Sequence, residues 1–365
     1  MIKVSGYQLF AATVFFQLGT TVVFGFASDA GRDAWIAILL SASIGMLVIL
    51  GYTVLANMMP GLTLVEWFPK QFGPWLGIPI AWLYPLLFIY DAARGISDLE
   101  GLVPVTLLPG TPTWVILGCM MLVIVYLLFS GVEVIFRLAG LLLPIILLSF
   151  LLELLLLLSS QSIILSNIFP ILGEGWGRVW KSVWPFGILQ TFGETIEFAM
   201  LWTFLKQDGK LTRINLIAVM VSGITITVFD MFAIMVLGES VFQRNVYPLL
   251  VLLKQLSISD FLDNLDALGV MHFMTTTLLK ITLHLITAVL AIRKLTRSQG
   301  YRLPILIAAA VTLWTGSNMA QSVADHLFVG TRILPYNLWI PLFLVIPGIL
   351  LTVAWIRKQQ EPGYE

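Results

Sequence analysis

Along the chain, apolar positions gather into runs of about 20 residues separated by short polar connections, the length an α-helix needs to cross a hydrocarbon layer about 30 Å thick. Ten spans are predicted, at 7–27, 34–56, 79–102, 113–132, 138–158, 183–205, 214–237, 268–292, 303–323 and 335–356. Connections are short except at 57–78, 159–182 and 238–267, and none holds a soluble domain. The expectation is an all-α polytopic membrane protein, one membrane domain over 1–365, in a lipid bilayer. The ten-residue alternation of an outer-membrane barrel is missing. Only Lys3 and Ser5 precede the first run among the opening polar residues, and no small-residue cleavage site closes it, so it reads as a spanning helix and not a signal peptide.

Composition agrees: 59% of residues are hydrophobic, 11% are charged, and mean hydropathy is +0.96. The zero net charge, with no basic stripe and no P-loop, gives no reason to expect nucleic acid or nucleotide. The single cysteine, Cys119, rules out an intrachain disulfide. No His, Cys or carboxylate set has metal-ligand spacing and no Ser/His/Asp arrangement is legible, so neither a cofactor nor an enzyme is expected. Twelve Lys and Arg fall on the face shared by both termini, with a cluster at Arg293–Arg302, against seven opposite, which predicts cytoplasmic termini.

Within this apolar frame a few polar residues stand out. The sixth span, WPFGILQTFGETIEFAMLWTFL, holds Gln190, Glu194 and Glu197 at i, i+4 and i+7, one face of a helix, with Gly193 beside the first acid. A carboxylate at mid-membrane costs about 2.5–3.5 kcal/mol on insertion scales, so such residues face protein or water and mark sites. The first span carries Gly19, Thr20, Thr21 and Gly25 in its second half. The first and sixth spans each open a five-span half, 7–158 and 183–356. Halves with an odd number of spans insert in opposite senses, and matched interrupted helices point to a transporter-type midplane site.

Further polar stripes are Thr13, Gln17 and Thr20 on the first span, Asp91, Arg94 and Asp98 on the third, and Lys280, His284 and Thr287 on the eighth. Arg94 either pairs with Asp91 and Asp98 or offers its fork to a ligand carboxylate. Lys280 and His284 either neutralise Glu194 and Glu197 or carry protons. Glu153 is a lone acid with no polar neighbour expected on its helix, a candidate charge or proton relay. Asp230 reads as structural and His272 as interfacial. The stretch VYPLLVLLKQL in 238–267 is too short to span; it predicts an interfacial or re-entrant helix, a cap or a gate.

RGISDLEGLVPVTLLPGTPTWVI at 94–116, FPILGEGWGRVWKSVWPFGILQTFGE at 169–194 and YPLLVLLKQLSISDFLDNLDAL at 247–268, with YQLF at 7–10 and DAGRDAWIAILLS at 29–41, resemble the spore germination permease family. These are the B-type subunits of nutrient germinant receptors, and the resemblance covers essentially the whole chain. It implies the amino acid/polyamine/organocation superfamily fold, two inverted five-helix repeats with unwound first and sixth helices. It also implies the spore inner membrane, a small nutrient ligand such as an amino acid, and a complex with an A-type membrane subunit and a C-type lipoprotein. The superfamily's substrate-backbone site maps onto Gly19–Gly25 and Gln190–Glu194; the break at Gly19 is looser than usual, and an acid at 194 favours an ammonium over a carboxylate. Three functions remain open from sequence: a nutrient-sensing subunit, a proton-coupled amino-acid transporter, and a ligand-gated ion-conducting subunit.

Overall fold

The structure is a computed structural model that describes residues 3–106, 108, 110–160, 162–206, 209–255 and 265–360. Seven helices among them are long and apolar enough to cross a membrane, and Arg302–Gly316 is a shorter apolar one. Two broken crossings bring the number to ten among the described residues, so the first and last crossings have their outer ends, near Gly6 and Gln360, on the same face.

The first crossing begins as α1 (Gly6–Leu18), started by a reciprocal cap in which Gln8 N–H donates to Ser5 Oγ and Ser5 N–H to Gln8 Oε1. It stops at Gly19, whose φ of 32° lies outside ordinary helix, and continues as turns rather than helix. A 3₁₀ segment, Ser28–Asp33, then leads into α2 (Ala34–Met58). The third crossing, α3 (Leu64–Thr106), is broken at Gly73 (φ 78°) and starts well before the predicted residue 79. The loop expected at 57–78 is therefore mostly helix. Gly131, at φ 89°, ends α4 (Thr113–Ser130) and begins α5 (Val132–Ser159).

The sixth crossing is not one helix. It runs through α6 (Trp176–Ser182), a wide turn at Val183–Gly187, α7 (Ile188–Thr191), a 3₁₀ segment at Gly193–Met200 and a last turn at Trp202–Phe204. The seventh is α8 (Leu211–Leu237), followed by the short α9 (Glu239–Arg244) and α10 (Pro248–Lys254). The eighth is α11 (Leu265–Thr296) and the ninth α12 (Arg302–Gly316), which ends before the predicted residue 323. The tenth begins earlier than predicted, with α13 (Val323–Phe328), passes through wide-turn segments and ends in α14 (Ile346–Gln360).

Each face is tied by a different device. On the face of the termini Val4 pairs in parallel with Leu205: its N–H donates to Phe204 O at 2.8 Å, and Lys206 N–H returns to Val4 O at 3.2 Å. On the opposite face Glu239 accepts from Arg32 and from Arg178 (2.7 Å), closing a clasp between the second, sixth and seventh crossings. Asp33 accepts from Leu172 N–H at 2.9 Å in the same layer.

The stretch expected to lie at the interface or re-enter is, in its helical part α10, buried: Pro248, Leu249, Leu250, Leu252 and Leu253 pack inside, against α8 and α11. Tyr247 leads it, its ring 5.0 Å from Phe24. The SISDFLDN stretch of that loop, 257–264, lies outside the described residues.

Candidate functional site

The unwound part of the first crossing, the 3₁₀ part of the sixth, α3 and α11 meet at the centre of the molecule. A cavity of about 250 Å³ opens there toward the face opposite the termini. Its walls include Thr20, Phe24, Gly25, Arg94, Lys181, Phe186, Gln190, Arg244 and Arg332. Thr20, Arg94, Asp98 and Gln190 are shared with a narrower inner space of about 20 Å³, floored by Asp91, Glu194, Lys280 and His284.

Two carboxylate–base pairs are stacked at this floor. Lys280 Nζ lies 2.7 Å from Glu194 Oε2, a charge contact at an angle poor for a hydrogen bond. One step deeper, His284 Nδ1 is 2.8 Å from Glu197 Oε1, and Thr287 Oγ donates to Glu197 Oε2 at 3.0 Å. The register follows from helix geometry. In a 3₁₀ segment residues three apart eclipse one another after a rise of about 6 Å, and four residues of α-helix also rise about 6 Å. Glu194 and Glu197 therefore step in time with Lys280 and His284. The sequence reading placed these acids on an ordinary helix face; the structure keeps the shared face but changes its geometry.

Glycine makes room for the lysine. A Cβ on Gly19 would lie 2.4 Å from Lys280 Cδ, and Thr276 Oγ holds the Gly19 carbonyl at 2.5 Å. The two broken crossings are pinned to each other by Gln17 Nε2 donating to Thr195 Oγ at 3.1 Å and by Thr21 and Thr191, whose hydroxyls are 3.4 Å apart. The Gly193 carbonyl accepts from the Tyr52 hydroxyl at 3.2 Å.

Asp91 is buried beside these pairs, and neither carboxylate oxygen has a hydrogen-bond partner. Arg94 does not pair with Asp91 or Asp98 as one of the two sequence readings had it. Asp98 pairs instead with His326 at 2.9 Å, while the Arg94 guanidinium stands 5.7 Å from the Trp339 ring centre and against Gly330, lining both cavities.

Glu153 lies elsewhere, between α5 and α11. His272, expected at the interface, is 2% exposed, with Nδ1 3.1 Å from Glu153 and Nε2 2.8 Å from Ser149 Oγ. Glu153 thus has a polar neighbour on its own helix after all: Ser149, one turn back, shares the histidine. Thr13 is also apart, bonded to the Leu9 carbonyl, and Gly25 packs beneath Pro248.

Sequence reasoning passed over Thr276, one turn before Lys280 on the same stripe, which the stripe itself signals. It also missed His326, which has no apolar run around it to make it conspicuous.

Two interrupted crossings around a buried charged cavity are the marks of a transporter-like membrane protein. The fold supports that class. Mhp1, a nucleobase-cation-symport-1 family transporter solved in a closed conformation with bromovinylhydantoin bound, superposes with a TM-score of 0.70 at 12% identity, covering 100% of this chain and 80% of that one. Within the class the family is specific. Residues 3–322 match the family described as spore germination protein, and the chain belongs to it. It is 28% identical over 360 residues to spore germination protein KB of Bacillus subtilis strain 168, covering 98% of this chain and 96% of that protein. Spore germination protein XB of Bacillus anthracis is 24% identical over 339 residues, 91% of each chain.

Proposed function

We propose that this protein is the B-type subunit of a spore germinant receptor, set in the spore inner membrane with cytoplasmic termini. It binds a small nutrient zwitterion, an amino acid, in the central cavity and signals through an A-type membrane subunit and a C-type lipoprotein. The membership in the spore germination family and the transporter-like fold support the receptor reading. Eight of the residues singled out from sequence, Thr20, Asp91, Arg94, Asp98, Gln190, Glu194, Lys280 and His284, line the inner space together.

The observation that carries the ligand class is the polarity of the cavity along its depth. Arg94, Lys181 and Arg244 line the mouth without an acid partner among the described residues, whereas Arg332 is held by Asp29 and Asp98 by His326. The floor is acidic, with Asp91 unpaired and Glu194 balanced by Lys280. Arg94 and Asp91 are one helical turn apart, with Cβ atoms about 5 Å from each other, and both line the inner space, so one α-amino acid can meet both with its carboxylate and ammonium. The ligand therefore lies with its ammonium inward and its carboxylate on the Arg94 fork, its side chain in the wider outer cavity.

Thermal shift of the purified protein across amino acids, sugars and nucleosides tests this, because ligand at about 100 times Kd adds about 2.7 kcal/mol to the folded state. A shift confined to amino acids, lost in Asp91→Asn and in Arg94→Lys, is expected. Equal shifts with sugars or nucleosides, or an amino-acid shift unaltered in both variants, would refute the site.

The Glu197–His284–Thr287 group, which runs from the floor inward, favours proton-coupled transport as a second reading, since it continues the charged path toward the termini. Uptake of the bound amino acid into proteoliposomes, driven by a pH gradient and abolished in Glu197→Gln, would select it.

A further inference from the structure

A separate cavity of about 590 Å³ lies on the face of the termini, between the loop that follows α2, the helical segment of α3 before Gly73 and the end of α14. Lys70, Arg357 and Lys358 supply its charge, and no acid lines it. Its remaining wall is apolar apart from Gln71: Met58, Met59, Pro60, Leu62 and Ala354.

Three observations bear on what it holds. None of the three cations has an acid within ion-pair distance among the described residues, whereas Lys294 on the same face is neutralised by Glu66 at 3.0 Å. The cavity lies among helix ends on the face of the termini, where spanning helices meet headgroups. Trp75, four residues past the lining Gln71, is 94% exposed and Trp355, next to the lining Ala354, 58% exposed, and exposed tryptophans near span ends mark a bilayer's interfacial belts. Its walls combine charged and apolar side chains, as a lipid combines phosphate with glycerol and acyl chain. The carbonyl end of α2 opposes an anion with about half a charge, partly withdrawn because Met59 N–H already bonds the carbonyls of Leu55 and Ala56. Three full positive charges outweigh it.

We propose that this cavity is a binding site for the headgroup of an anionic phospholipid, with phosphatidylglycerol as the fitting chemistry. The phosphodiester sits among Lys70, Arg357 and Lys358, and the glycerol backbone lies on Met58 and Met59. Basic pockets between membrane helices on the cytoplasmic side bind acidic headgroups in this manner. The lipid fastens the segment between the second and third crossings to the last helix, two parts joined by no ion pair among the described residues. The site is distinct from the central cavity and does not depend on the nutrient.

The test uses the full chain in a neutral detergent, with phosphatidylglycerol, phosphatidylcholine or inorganic phosphate added, read by thermal shift and by lipid retained in native mass spectrometry. Phosphatidylglycerol should be retained and should raise the melting temperature; phosphatidylcholine and inorganic phosphate should do neither. Each of K70Q, R357Q and K358Q should weaken binding about fivefold and the triple variant about a hundredfold, from the worth of a basic residue beside an anionic headgroup. R302Q, which removes an exposed cation on the same face but outside the cavity, should leave binding within twofold.

Equal stabilisation by phosphatidylcholine would overturn the charge argument, and full reproduction by inorganic phosphate would make this a free-anion site and not a lipid site. A loss in R302Q as large as in K70Q would show diffuse surface attraction only. Unchanged retention in the triple variant would sink the proposal. Should the triple variant fail to run as a single species, the three single variants decide it by the same criterion.

Discussion

Replacing Lys280 by Met isolates what the buried pair at the cavity floor does for the fold. Lys280 and Glu194 are each under a tenth exposed and lie 2.7 Å apart, so removing the lysine strands a carboxylate in a protein interior. Breaking a buried pair in this way costs about 3–5 kcal/mol, whereas replacing both partners by neutral groups of similar size is close to neutral. With an unfolding entropy of about 2 cal/mol/K per residue, 4 kcal/mol in a chain of this length corresponds to about 5 °C. The expected series is a melting temperature about 5 °C lower in Lys280→Met, and recovery of most of that loss in the double variant Lys280→Met/Glu194→Gln. The assay is thermal unfolding in detergent without ligand, followed by tryptophan emission, with all variants shown to be monodisperse. A double variant that melts with the single lysine variant would refute the argument, since Glu194 would not then be the charge that Lys280 neutralises.

Gly19→Ala places a methyl group 2.4 Å from Lys280 Cδ at a backbone φ of 32°, so it should lower the melting temperature and weaken amino-acid binding together; binding and melting unchanged from the parent would show that the break tolerates a side chain. Burial acts to raise the Glu239 pKa, but hydrogen bonds and charge from Arg32 and Arg178 outweigh it and hold the carboxyl below its ordinary value. A lowered folded-state pKa gives stabilisation that is present above the ordinary glutamate value of about 4.3 and is lost as pH falls through the folded value. Glu239→Gln should therefore melt lower than the parent at pH 7, with the gap closing on acidification; a gap constant down to pH 3 would exclude that clasp as the source.

Hydropathy made the continuous crossings legible because each holds an unbroken apolar run, whether it faces lipid or, as α11 mostly does, the protein interior. It was least informative where the chain crosses without facing lipid in a regular way. The tenth crossing begins at Val323 through a stretch holding Asp325, His326 and Arg332, too polar for an apolar run, and the helical start of the third lies in what read as a loop. Spacing put Lys280, His284 and Thr287 on one face, and on α11 they do line up, against Glu194 and Glu197. Partners were legible where opposite charges shared a depth, as for Glu194 and Lys280. They were not where the partner sat on a distant crossing, as with Asp98 and His326 or Glu153 and His272. No spacing along one helix reports a neighbour more than a hundred residues away.

The 3₁₀ segment at Gly193–Met200 and α11 divide length and angle differently, and this makes their contact a vernier. Three residues of 3₁₀ helix come back to the same bearing, whereas four of α-helix overshoot it by about 40°. Two graduations coincide, Glu194 on Lys280 and Glu197 on His284. A third would be about 80° out, and beyond the two pairs other partners take over: Thr191, at the end of α7, turns to Thr21 and Thr276 to the Gly19 carbonyl. A displacement of one graduation, about 6 Å, sets a single carboxylate against a single base and leaves the others unmatched. The charges at the centre of this protein are therefore matched only at whole graduations, and any intermediate register would leave both carboxylates off their bases.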